Sequence, residues 1–163
     1  MKQVLILGAG LSSSSLIKYM IDHSEKYDWH IKVGEISLES CEKKIAGHKN
    51  GEAFIFDIRN QKQVNQEVKN ADIVISMLPA SFHHIVAKTC LEYATNMVTA
   101  SYVSEEVKAM DQKAKEKGIV TILERGSSHY SYQVKMLQEE YKLSGITHKI
   151  NYHFWQRDLL EYE

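Results

Sequence analysis

Short apolar runs alternate with amphipathic segments along most of the chain. The run Val4 to Leu7 ends at a glycine and has the length of a parallel strand that helices cover on both faces. The segment Ser13 to His23 follows it and carries its apolar residues at helical spacing. This alternation predicts an α/β fold with a doubly wound, mostly parallel sheet.

The same pattern predicts five further strands. They are Trp29 to Val33, Ala53 to Phe56, Asp72 to Ser76, Asn96 to Thr99 and Ile119 to Leu123. The segments predicted as helices between them are Ser40 to Ala46, Phe82 to Tyr93, and one that begins after the N-cap Ser104 and ends near Gly118. Gln63 to Lys69 is predicted to be a polar helix or a turn. The expected strand order is 3-2-1-4-5-6.

Composition narrows the class of protein. The 163 residues suit one domain, and the formal net charge of -1 gives no basic stripe for nucleic acid. The apolar runs fall far short of the roughly 20 residues that a membrane span needs, and no signal peptide is predicted. Cys41 and Cys90 have no CxxC spacing, so we expect free thiols in a reducing, cytoplasmic compartment.

The segment after the first strand carries the main chemical motif. Gly8, Gly10 and Ser13 stand where the dinucleotide-binding fingerprint has its three glycines, with serine in the third place. The first glycine permits a tight turn, and the second lets a pyrophosphate approach the N-terminus of the next helix. We therefore predict a Rossmann-type domain in which Gly8, Gly10, Leu11, Ser12 and Ser13 bind the cofactor.

An acidic residue follows the second strand at the spacing expected of a ribose ligand. Glu35 is predicted to accept hydrogen bonds from the adenosine ribose and to repel the 2′-phosphate of NADP, which favours NAD over NADP. The alternative is a solvated carboxylate at a strand end.

Topology places further residues at the same edge of the sheet. Asp57 and Ile58 would lie beside the adenine. Met77, Leu78 and Pro79 would run past the ribose and the nicotinamide.

Two longer segments carry a family resemblance. Ser76 to Lys88 (SMLPASFHHIVAK) and Val98 to Ser104 (VTASYVS), together with Gly8-Ala9-Gly10, resemble the N-terminal part of the saccharopine dehydrogenase (saccharopine reductase) family. The resemblance covers residues 1–126. It implies an NAD(P)-dependent oxidoreductase of lysine metabolism that transfers a hydride between the nicotinamide and the secondary amine of a saccharopine-like substrate.

The resemblance also implies roles for the segment after the fifth strand. Thr99 and Ser101 would line the nicotinamide end of the cleft, and Tyr102 would be a catalytic hydrogen-bond donor near the substrate. An aromatic residue that merely covers the sheet edge is the alternative for Tyr102. Of His83 and His84, one is a candidate proton carrier, although a structural role is the commoner one for such histidines.

The family pattern stops near Gly126. We expect a dinucleotide-binding domain over 1–126 and a helix-strand extension over 127–163, with helix Tyr132 to Leu143 and strand Ile146 to Phe154, and no substrate domain. No metal site is predicted, because His148 and His153 would face opposite sides of that strand. Apolar residues of the strand are candidates for homodimer contacts.

Three functions remain open at this stage. The first is an oxidoreductase or its cofactor-binding part, with a dinucleotide and an amino-acid-derived amine as ligands. The second is a catalytically inactive nucleotide-binding module or truncated remnant. The third is an interaction protein that kept the fold and lost the nucleotide.

Overall fold

The structure is a computed structural model, and it describes residues 1–99, 104–119 and 121–123. Its strands are β1 Lys2–Leu7, β2 Trp29–Glu35, β3 Gly51–Ile55, β4 Ile73–Ser76, β5 Asn96–Thr99 and β6 Thr121–Leu123. All neighbouring strands pair in parallel, in the order β3-β2-β1-β4-β5-β6. The predicted fold class and strand order are confirmed.

Helices connect the strands. They are α1 Ser14–Asp22, α2 Ser24–Tyr27, α3 Leu38–Ile45, α4 Gln61–Lys69, α5 His83–Tyr93, α6 Glu105–Lys108 and α7 Asp111–Glu116. Short 3-10 helices at Leu11–Ser13 and Ala80–Phe82 precede α1 and α5. The loops after β1 and β4 therefore each enter their helix through one tight turn.

Both faces of the sheet are buried. Leu5 and Leu7 belong to a core cluster with Val64 and Val68 of α4 and Val86 of α5. Val4 and Ile6, which alternate with them along β1, are fully buried as well, and α1 and α3 contact each other beside β2 and β3. The unbroken apolar run Val4 to Leu7 in β1 is typical of a parallel sheet that helices cover on both faces.

The carboxyl ends of the central strands meet at one edge. Leu7 lies opposite Gly34 of β2 and Ser76 of β4, and Ser76 lies opposite Thr99 of β5. The next residue of β2, Glu35, lies opposite Ile55. This edge holds most of the residues singled out in the sequence.

Several element boundaries differ from prediction. The strand β2 runs two residues further and ends on Glu35, and β3 begins earlier, at Gly51. The N-cap Ser104 is confirmed, since its hydroxyl accepts a hydrogen bond from the Val107 N–H at 3.3 Å. The single helix predicted after it is wrong, because α6 and α7 are separate short helices.

Other predictions concern parts of the chain that the structure does not describe. The boundary near Gly126, the extension over 127–163, its helix and strand, and the proposed homodimer contacts all lie outside the described residues. Within the described ones, no helix is long and apolar enough to cross a membrane. Cys41 and Cys90 are buried free thiols, as predicted.

Candidate functional site

The turn after β1 is possible only for glycine. Gly8 has φ of +104°, and a Cβ placed on it would lie 2.7 Å from the Met77 carbonyl oxygen. Its N–H donates to the Gly34 carbonyl at 2.8 Å. The chain therefore turns tightly while pressed between the ends of β2 and β4.

The second glycine faces open space. Gly10 has φ of -67°, which any residue can adopt, and a Cβ built on it would meet no atom within 4 Å. The next residue, Leu11, is 95% exposed, and Ser12 is exposed as well. The loop thus leaves room for a bulky anion beside the start of the helical segment.

Ser13 differs from its neighbours because it is fully buried. Its hydroxyl donates to the Gly10 carbonyl oxygen at 2.8 Å. The Ser13 hydroxyl is therefore bonded within the loop, whereas Ser12, Ser14 and Ser15 are exposed.

Glu35 turns back onto the loop. One carboxylate oxygen, Oε2, accepts the Ala9 N–H at 2.9 Å, and the other, Oε1, accepts the Ile36 N–H at 2.8 Å. The hydrogen bond from Ala9 joins the end of β2 to the glycine loop, and the one from Ile36 fixes the direction of the carboxylate; both are charge-assisted.

A lysine that the sequence analysis did not single out reaches the same loop from α3. The ammonium of Lys44 donates to the carbonyl oxygens of Ala9, at 2.6 Å, and Gly10, and to the Ser13 hydroxyl at 3.2 Å. Burial lowers the pKa of this ammonium, while nearby Cys41 and Glu35 act in the opposite direction. From sequence alone, Lys44 looks like one more lysine at the end of a short amphipathic helix.

Exposed apolar side chains gather at this edge. Leu11 after β1, Ile36 after β2 and Ile55 at the end of β3 are 95%, 65% and 61% exposed. Large exposed aliphatic side chains at neighbouring strand ends offer a flat apolar ligand a surface to lie on. Ile55 was also absent from the sequence-based candidates.

Asp57 and Ile58 follow β3. The Asp57 carboxylate forms a two-point ion pair with Arg59, at 2.9 and 3.0 Å, which lowers the pKa of Asp57. Ile58 is buried in the core cluster that contains Leu5 and Leu7 of β1. The two residues lie at the predicted edge, with Asp57 exposed to it only in part.

The ends of β4 and β5 are joined by a buried histidine. Nδ1 of His83 lies 2.8 Å from the Ser76 hydroxyl, and Nε2 lies 3.2 Å from the Thr99 hydroxyl. All three side chains are at most 4% exposed, and burial lowers the pKa of His83. Thr99 is thus held in a neutral hydrogen-bonded cluster, whereas His84 is exposed.

The segment after β4 crosses the edge as predicted by topology. The Met77 N–H donates to the Leu7 carbonyl at 2.7 Å, and Pro79 begins the turn into α5. Met77 and Leu78 are partly buried and Pro79 is exposed. Ser101 and Tyr102 lie outside the described residues.

The described residues contain no group of three histidine, cysteine or acidic side chains suited to a metal ion. The open loop at Gly10, the exposed first turn after it and the carboxylate of Glu35 instead suit an adenine dinucleotide. These features define a dinucleotide-binding domain of the Rossmann type.

The family model described as "Saccharopine dehydrogenase NADP binding domain" matches residues 4–122. The chain therefore belongs to the saccharopine dehydrogenase family and contains its NADP-binding domain. The predicted family resemblance is confirmed.

Individual relatives agree with this assignment. Alpha-aminoadipic semialdehyde synthase of Arabidopsis thaliana is 36% identical over 140 residues, which cover 76% of this chain and 13% of the relative. The NADP(+)-dependent, L-glutamate-forming saccharopine dehydrogenase of Pyricularia oryzae is 31% identical over 148 residues, or 88% of this chain and 32% of that enzyme. The chain spans less than a third of either relative's length.

Among solved structures, apo saccharopine dehydrogenase (L-Glu forming) from Saccharomyces cerevisiae superimposes with a TM-score of 0.69 at 25% sequence identity. The match covers 85% of this chain and 31% of the yeast chain.

The predicted preference for NAD over NADP is wrong. The matching family model describes an NADP-binding domain, and the fungal relative is named for NADP(+). The prediction assumed that the Glu35 carboxylate faces the ribose alone. In the structure both of its oxygens accept backbone N–H groups, and the ammonium of Lys44 bonds to the same loop.

Proposed function

We propose that this chain binds NADP(H) across the carboxyl edge of its sheet and serves as the cofactor-binding part of an oxidoreductase acting on a saccharopine-like secondary amine. Bound there, the nicotinamide supplies hydride chemistry. Oxidation of the amine carbon would reduce NADP⁺ to NADPH and release a proton, and water would then hydrolyse the resulting imine to an amino acid and a semialdehyde. This substrate class is that of the fungal and yeast relatives.

The open glycine loop carries the cofactor proposal. A Cβ on Gly8 would strike the backbone, whereas a Cβ on Gly10 would project into empty space. The loop therefore holds its shape at the first glycine and leaves space at the second, where a pyrophosphate would meet the first turn of the helical segment.

The remaining contacts follow from the strand ends. Glu35 lies where the adenosine ribose would come, and the exposed side chains of Ile36 and Leu11 would flank the adenosine. Met77 to Pro79 would border the nicotinamide. We propose that Tyr102, together with Ser101 and Thr99, completes the reacting end of the cleft.

Calorimetric titration with NADPH tests the cofactor proposal, with Gly10→Glu as the decisive variant. Gly10 has an ordinary backbone conformation and free space, so the variant should fold while its carboxylate opposes the pyrophosphate. We expect the dissociation constant to rise by at least about tenfold. Gln66→Glu adds the same charge on an exposed face of α4 and should bind NADPH normally.

Equal affinity of the Gly10→Glu variant and the unmodified chain for NADPH would contradict the proposal. A separate assay follows NADPH formation from saccharopine and NADP⁺. Binding without turnover would restrict the proposal to cofactor binding by this chain.

A further inference from the structure

The NADP-binding domain presents an unfavourable charge to the group that distinguishes NADP from NAD. The 2′-phosphate sits on the adenosine ribose, which in this fold lies at the end of β2. Glu35 stands there and carries a negative charge. A phosphate in that place needs a compensating cation, because like charges at close range in a partly buried site repel.

Three cations deserve comparison as sources of that charge. Arg59 is held by both oxygens of Asp57, so its charge is already matched. Lys43 forms an i,i+4 ion pair with Glu39 at 2.7 Å, with both side chains about three-quarters exposed. Neither cation contacts the glycine loop in the described part of the chain.

Lys44 differs from both. Its ammonium bonds only to neutral acceptors among the described residues, namely two loop carbonyls and the Ser13 hydroxyl. It is partly buried, so its charge is screened less by water than that of an exposed lysine. The nearby Glu35 carboxylate acts on this ammonium by charge, but no carboxylate among the described residues bonds to it directly. An ammonium held in this way at a ligand-binding loop is well placed to receive an anion.

Lys44 and Glu35 engage the same residue from two sides. The Ala9 N–H donates to Glu35, and the Ala9 carbonyl accepts from Lys44. The cation and the carboxylate therefore both bond to Ala9, and the adenosine ribose is expected beside Glu35. A lysine has four methylene groups, and a small rotation of its end exchanges a neutral carbonyl for a phosphate oxygen.

Resting on the cofactor site proposed above, we propose that Lys44 binds the 2′-phosphate of NADP(H) and determines the preference for NADP over NAD. Lys44 is then a specificity residue that acts on the adenosine end of the cofactor. Glu35 keeps its backbone contacts, and Lys44 offsets its charge.

The test compares NADPH and NADH binding by calorimetry in four variants, three at Lys44 and Lys43 and one at Arg59. Lys44→Gln should weaken NADPH binding about tenfold and change NADH binding less than about twofold, because only NADPH carries the 2′-phosphate. Lys44→Arg keeps the charge and should retain most of the preference. Lys43→Gln, on the same helix, is the matched control and should leave both affinities unchanged.

Thermal melting checks that each variant is folded, and 2′,5′-ADP and 5′-AMP serve as shorter probes of the same contact. An equal loss of NADPH and NADH affinity in Lys44→Gln would overturn the inference, because it assigns Lys44 to the pyrophosphate or to the loop. Loss of the preference in Arg59→Gln but not in Lys44→Gln would overturn it in favour of Arg59.

The outcome for the unmodified chain separates the two proposals. If the unmodified chain binds neither NADPH nor NADH, the proposed function fails and this inference falls with it. If it binds NADPH and Lys44→Gln keeps the full preference, only the inference fails.

Discussion

The two halves of the carboxyl edge are built from different interactions. At the ends of β1 and β2, charged side chains bond to backbone groups of an exposed loop, as Glu35 and Lys44 do with Ala9. At the ends of β4 and β5, neutral side chains bond to one another in a buried cluster around His83. The first half therefore has charged side chains and open space for a ligand. In the second half, a buried hydrogen-bonded cluster holds the side chains in place.

This difference matches what each half of a dinucleotide requires. The phosphates and ribose need hydrogen-bond donors and cations that can exchange partners when the ligand arrives. The nicotinamide end needs a surface whose shape does not change, since hydride transfer depends on a narrow range of geometry. We therefore expect the first half to supply most of the binding energy and the second half to orient the nicotinamide.

The largest expected effect is a loss of stability that differs between the two glycines of the loop, Gly8 and Gly10. Gly8→Ala forces a Cβ to within 2.7 Å of the Met77 carbonyl at a positive φ, and should lower the free energy of unfolding by about 2–4 kcal/mol. Gly10→Ala should change it by less than about 0.5 kcal/mol. Urea denaturation measures both, and similar losses at the two positions would contradict the description of the loop.

His83→Phe tests how much the buried hydrogen-bonded cluster in the second half contributes to stability. It leaves the hydroxyls of Ser76 and Thr99 without their imidazole partner and should cost about 1–3 kcal/mol of stability. His84→Phe changes an exposed neighbour and should cost less than about 0.5 kcal/mol. Urea denaturation again provides the measurement, and equal effects in both variants would show that the cluster contributes little.

Glu35→Gln tests the charged half. Glutamine has one acceptor oxygen, so either the Ala9 or the Ile36 N–H loses its partner, at a cost of about 1 kcal/mol in the free energy of unfolding. Removing the charge should also raise NADPH affinity relative to NADH affinity. Glu39→Gln, in an exposed ion pair with Lys43, is the control. A shift of the preference toward NADH would contradict the assignment of charges.

The smallest expected effect is a pH dependence of stability, which arises from His83 in the second half of the edge. Burial lowers the pKa of His83 below its ordinary value of 6.5, so the unfolded chain binds the proton more readily than the folded one. The stability contributed by neutral His83 is present above pH 6.5 and is lost as the pH falls through the lower folded value.

The stability difference between the unmodified chain and His83→Phe should therefore shrink on acidification. Denaturation midpoints at neutral pH and at about pH 5 measure that difference. A difference that stays constant, or grows toward low pH, would rule out this role of burial.

Strand content and order were predictable because the central strands β1 and β4 are largely apolar runs, as a doubly covered sheet favours. Asn96 to Thr99 was predicted with the bounds of β5. The edge strand β3 was placed two residues late, since its start depends on pairing with Ile31 of β2 and its residues are partly buried or exposed. Hydrophobicity does not encode such a partner.

The site was only partly predictable for a related reason. Gly8, Gly10 and Glu35 carry a spacing that reflects backbone geometry, so sequence finds them. The role of Lys44 depends on a contact between α3 and a loop 34 residues earlier in the chain, and no local pattern reports it. The direction of the Glu35 carboxylate is likewise a tertiary feature, and the wrong cofactor preference followed from it.

The central claim is that the glycine loop receives the cofactor, and amide NMR of the isotopically labelled chain during NADPH titration tests it most directly. We predict that the largest shift changes fall on the amides of Gly10 to Ser12 and of Ile36, with smaller changes at Met77 and Leu78. Changes confined to residues remote from the carboxyl edge, such as Lys32 and Glu67, or no changes at all, would contradict the account.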